Sequence, residues 1–144
     1  MKTSKRIKSD SALGTKEDAI TEAYRYLANA RETISKSPIE YGRYKDSKYV
    51  REAAGIAYLS ALKAIDGYLI NKGVPHKQLP KSIEGYWAAM KKYIPLNGKL
   101  SAALNIVYEN LHLGAYYREF TDTAVIKSGF EHCKKIIDMM ARTK

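Results

Sequence analysis

Residues 53–70 read AAGIAYLSALKAIDGYLI, and this stretch decides the fold. It is apolar on nearly every side of a helix. A helix of that kind has no solvent face and belongs in the middle of a bundle. Gly55, Ala57, Ser60, Ala61 and Ala64 are small and allow neighbouring helices to come close. Lys63 and Asp66 interrupt the run, which makes it too polar for a transmembrane span and favours a buried soluble helix. Asp46 or Ser47 is placed to cap this helix, and Gly73 with Pro75 to stop it.

Helical periodicity continues on both sides. Ile20, Ala23, Leu27, Ala30 and Ile34 recur at spacings of three and four, giving a helix from Thr15 to Ser37 that ends before Pro38. Thr15 is its N-cap, and Glu17, Asp18 and Glu22 suit the positive end of the helix dipole. The segment PIEYGRYK reads as a loop. A short helix over Lys81–Ile94 carries Ile83, Trp87, Met90 and Ile94 on one face. A longer one over Lys99–Phe120 carries Leu100, Leu104, Val107, Leu111 and Gly114. Asp122 caps the last helix, with Ile126, Phe130, Cys133, Ile137 and Met140 inward. No segment alternates with period two. The expected fold is all-α: an antiparallel up-and-down four-helix bundle with one additional short helix. Residues 1–14 form a disordered basic tail, and residues 15–144 a single domain.

The net charge is +10, and residues 1–16 supply four of it. Such a surplus steers toward anionic partners but serves solubility equally. The lone Cys133 cannot form an internal disulfide, and the N-terminus lacks a signal peptide's apolar run, so a cytoplasmic setting is expected, with no membrane association. The Walker A, GxGxxG, GxSxG, HExxH and CxxC motifs are all missing, and no metal or cofactor is expected. Glu109 and His112 form one Glu-x-x-His unit, but di-iron bundles need two, with two further glutamates.

Two constellations remain. His112 stands four residues from both Tyr108 and Tyr116, and with Asp66, Lys63 and Arg118 it is a candidate catalytic cluster. The same polar groups would serve as hydrogen-bonded core residues. The second is YGRYKDSKYVR at 41–51, where Tyr44 and Tyr49 interleave with Arg43, Lys45, Lys48 and Arg51. Tyrosines can stack on bases and the cations can meet phosphate, so it is a candidate anion or nucleic-acid site. A solvated basic loop would read the same way.

The segments AYRYLANARETI, DSKYVREAAGIAYLSALKAIDGYLINKG, KSIEGYW, YENLHLGAYY and EHCKKIIDMM resemble, in that order, an uncharacterised bacterial family among the HEPN-like helical bundles. The resemblance spans about residues 17–141 and rests on packing patterns. It implies a four-helix core with an extra short helix, and often a homodimer. Many HEPN proteins are metal-independent ribonucleases, and their motif is Arg, four to six residues, then His. None of the arginines here has that spacing to His76, His112 or His132; His112 precedes Arg118 instead. The expectation is therefore a non-catalytic binding or dimerising module for nucleotide, nucleic acid or a protein partner. The alternative is a divergent ribonuclease or toxin-type enzyme that uses His112.

Overall fold

A computed structural model describes residues 15–95 and 97–143. The tail expected at residues 1–14 lies outside them. The order is α1 (Lys16–Ile34), β1 (Ile39–Glu40), β2 (Arg43–Tyr44), α2 (Ser47–Asn71), a 3-10 turn (His76–Gln78), α3 (Ile83–Tyr93), α4 (Gly98–Val107), a π-helical segment (Tyr108–Tyr117) and α5 (Thr123–Arg142). The fold is all-α, with α2 at its centre: α1, α5 and the π segment all pack on it.

Local chemistry sets the ends. The Thr15 hydroxyl accepts a hydrogen bond from the Asp18 amide at 3.1 Å and opens α1. Asp46 accepts from the Lys48 amide and opens α2. Ser82 accepts from the Gly85 amide and opens α3. Helix α1 stops at Ile34, three residues earlier than its periodicity suggests. Residues 35–37 close it with tight turns, and the buried Ser37 hydroxyl is used instead to accept from the Asp46 amide at 2.9 Å.

The segment read as a loop is a small hairpin. Ile39 pairs with Tyr44 and Glu40 with Arg43. The two turn residues, Tyr41 (φ 54°) and Gly42 (φ 74°), both lie in the left-handed region that a tight hairpin turn requires. Strands two residues long are too short to display an alternating pattern. The hairpin is tied to the start of α5: the Tyr44 amide donates to Thr121 O and the Thr123 amide to Gly42 O.

Among the α2 residues, Val50, Ala53, Ala54, Ala57, Ser60, Ala61, Ala64, Ile65, Tyr68 and Leu69 are buried. Lys63 and Asp66 do not make α2 too polar to span, contrary to the expectation: by length and composition it could cross a membrane, with a mean hydropathy of 1.2 over an 18-residue window, yet 56% of that window is buried inside the bundle. That is the signature of a core helix. Its small residues permit contacts that larger ones would block. Cys133 Sγ on α5 reaches Ala57 O at 3.2 Å, beside the Ser60 hydroxyl on the same oxygen at 2.6 Å. In α3 the buried aromatic is Tyr86, whereas Ile83 and Trp87 are only half-buried, because α3 turns its Tyr86 edge toward α2.

A β-carbon on Gly67 would lie 2.4 Å from the Ala19 β-carbon of α1, an atom with no torsion to swing away. Replacing a mid-helix glycine by alanine ordinarily gains about 1 kcal/mol of helix propensity. Overpacking costs about 1–3 kcal/mol, and here it should win. Gly67→Ala is expected to lower the urea midpoint; an unchanged or raised midpoint would show that α1 and α2 are not held at this distance.

Candidate functional site

The π segment builds the site. Its i→i+5 bonding is visible at its end, where the Arg118 amide donates to Leu113 O at 3.0 Å. Such widened turns are rare and cluster at functional positions. Gly114 makes room for this one: a β-carbon there would sit 3.0 Å from both Glu109 O and the Phe120 ring.

The wide turn brings Tyr108, His112, Tyr116 and Tyr117 together. The His112 ring is the hub. It stacks on Tyr58 of α2 at 4.5 Å between centroids and on Tyr108 at 5.4 Å. It lies parallel to Tyr116 at 6.3 Å and meets Tyr117 edge-on at 5.1 Å. Ring pairs at these separations attract beyond their buried area. Burial among the tyrosines pushes the His112 imidazole below its ordinary pKa. Burial, then the neighbouring Tyr108 and Glu84, pushes the Tyr58 phenol up to about 12. Arg51 clasps the far end, its Nε donating to Tyr116 O at 3.0 Å and its guanidinium lying 5.1 Å from the Tyr116 ring centroid.

A cleft of about 250 Å³ opens beside this cluster. Tyr58, Tyr108 and His112 form one wall, and Leu62, Ile83 and Tyr86 most of the rest. Lys81 and Ser82, at the start of α3, complete its lining. Behind Tyr86, its hydroxyl donates to Asp66 Oδ1 at 2.8 Å. Burial is the main influence on Asp66 and pushes its carboxyl up to about 6, against the opposing pull of Tyr86, Lys63 and His76.

Among the described residues, no hydrogen bond or ion pair joins the four catalytic candidates to one another. His112 lies in the tyrosine cluster and Asp66 pairs with Tyr86. Lys63 turns toward α1, with Nζ 5.8 Å from the Tyr26 ring. Arg118 is exposed where the π segment ends, and among the described residues no hydrogen bond or ion pair joins it to His112. No group of three or more His, Cys, Asp or Glu able to hold a metal ion occurs among the described residues.

The 41–51 candidates are also dispersed. Arg43 pairs with Asp122 at 3.6 Å, Lys45 with Glu40 at 2.9 Å and Lys48 with Glu52 at 4.0 Å. Tyr44 is buried beneath the hairpin, so its ring offers no face to a base. Tyr49 is half-buried, with the Lys36 and Lys48 ammonium groups near its ring. Arg51 alone joins the aromatic cluster. Sequence reasoning missed Tyr58, Tyr86, Lys81 and Ser82 as site residues; the 108/112/116 spacing was the only signal for their partners.

These features define a small all-α bundle with an aromatic-walled cleft. A family model described as a domain of unknown function (DUF5618) matches residues 18–142, and the chain belongs to that family. A solved structure, a protein of unknown function from Dyadobacter fermentans, is similar to it at 34% identity, with a TM-score of 0.76 over 89% of this chain and 98% of that one. No curated protein matches the chain.

Asp66 gives a pH signature. The folded protein holds this proton up to about pH 6, whereas an ordinary aspartate releases it near 3.8. The folded state therefore binds more protons in that window, and this group's contribution to stability falls as pH rises through it. Asp66→Asn keeps an acceptor for Tyr86 and removes the buried charge. It is expected to raise stability above pH 6 by about 1–2 kcal/mol and to flatten the decline below it. Thermal melts across that range check this; a loss of stability at neutral pH would mean that the charge itself is needed.

Proposed function

We propose that the protein is a non-catalytic binding module of HEPN-like type and that its cleft takes a nucleotide. One observation carries this reading: the Tyr58–His112–Tyr108 wall stands in the same cleft as Lys81 and the start of α3. Aromatic faces bind bases by stacking, largely regardless of base identity. Lys81 lies on the rim of the cleft with its Nζ donating to Lys77 O at 3.3 Å, a long neutral bond that a phosphate oxygen would outcompete. The cleft suits one ring system and is smaller than the usual drug-sized pocket. The all-α architecture agrees with the HEPN-like resemblance, and the Arg-x4-6-His ribonuclease motif is missing from the sequence.

His112 fits a binding role better than a proton-transfer role. Its ring packs against tyrosines on both α2 and the π segment, as a stacking surface requires. The second reading, a divergent ribonuclease, draws on Lys81 sharing the cleft with His112.

Calorimetric titration with adenosine 5′-monophosphate tests the proposal. One saturable site is expected. Tyr58→Ala should weaken it about 5- to 150-fold, the worth of one stacked base. Lys81→Ala should erase the preference for the monophosphate over adenosine. Absence of saturable binding overturns the reading. RNA cleavage by the purified protein that disappears in His112→Ala would replace it with the second.

A further inference from the structure

A second concavity lies between α4 and α5, with a volume of about 490 Å³. Tyr108 and His112 belong to the cleft against α2 and α3, so this groove is separate from the nucleotide reading. Its apolar lining includes Ala102, Ala103, Ile106 and Met139. The alanines leave depth, and the unbranched Met139 can adapt to what lies on it.

The charge around it is one-sided. Lys99, Lys135 and Arg142 line the groove against a single carboxylate, Asp138. Asp138 is already engaged: it accepts from the Tyr24 hydroxyl and, at 2.9 Å, from Lys134 Nζ. Among the described residues, Lys99, Lys135 and Arg142 make no ion pair. Apolar lining under unmatched cations calls for an occupant with an apolar body and a negative head. Length narrows the choice. The α5 side runs from His132 to Arg142, roughly 15 Å at 1.5 Å per residue. That length suits an extended alkyl chain lying along the seam between α4 and α5.

We propose that this groove binds a fatty-acid carboxylate, with its chain on Ala102, Ile106 and Met139 and its head group held by Lys99 and Lys135. Laurate is the probe, titrated below its micellar concentration by displacement of an anionic naphthalene dye. A single laurate site is expected. Octanoate should bind at least tenfold more weakly, and dodecyltrimethylammonium, with the same chain and opposite charge, should not compete. Two exposed positions test the geometry. Ala102→Trp fills the groove without changing charge and should abolish binding. Lys135→Glu should weaken it at least tenfold, whereas Lys91→Glu on α3 should leave it unchanged. Melting temperatures should show all three variants folded. Absence of a saturable laurate site overturns the proposal. So does unaltered binding in Ala102→Trp, or equal weakening by Lys91→Glu and Lys135→Glu, which would reduce the effect to net charge.

Discussion

The bundle depends on how closely its helices can approach α2. Side chains at Ala53, Ala57, Ala61 and Ala64 are fully buried and end at the β-carbon, and Gly67 has none. Backbones therefore meet across a thin layer of atoms. Cys133 donates its thiol directly to a carbonyl of α2, and burial pushes that thiol up to about 12, which keeps it inert. Similar intimacy recurs between the π segment and α5, where a β-carbon on Gly129 would fall 2.5 Å from Leu111. Larger residues at these contacts would force the helices apart and open voids that dense interiors do not tolerate.

The aromatic cluster follows from this placement. With α2 drawn into the centre, Tyr58 packs on the π segment, and His112 supplies the flat surface. The wide turn offers Tyr108, His112, Tyr116 and Tyr117 to one neighbourhood. Arg51 binds the Tyr116 carbonyl and covers its ring, which fastens the end of the segment to the start of α2. On the other side Asp66 holds the Tyr86 hydroxyl, and so fixes the short α3 as one wall of the cleft. The cleft is thus bounded by groups whose own positions are determined by packing.

The bundle was legible because each long helix carries its stripe plainly. Positions such as Leu27, Val107, Phe130 and Ile137 are buried as their spacing implies. The caps Thr15 and Asp46 were equally plain, since a short acceptor side chain ahead of an apolar run has few other uses. The hairpin was hidden by its length, and its turn depends on Tyr41 accepting an unusual backbone conformation. The π segment was hidden because its residues also satisfy an ordinary helix up to Leu111; the extra residue per turn shows only in the hydrogen bonds. The site was half legible. Tyr108, His112 and Tyr116 share one helix and announce themselves by spacing. Tyr58, Tyr86 and Lys81 come from other elements, and only the tertiary fold brings them in. At 41–51 the charge pattern left the ion pairs unread, because the acidic partners of Arg43 and Lys45 are a distant Asp122 and a cross-strand Glu40.

The central claim is that His112 forms the stacked wall of a ligand cleft. Proton NMR of the His112 ring, titrated with pH in the presence and absence of adenosine 5′-monophosphate, tests it most directly. The account predicts that the ring titrates below the ordinary histidine value and that its ring protons move on adding nucleotide, in step with Tyr58 and Tyr108. A ring that titrates as a solvent-exposed histidine, unmoved by saturating nucleotide, would contradict both the stacking and the site.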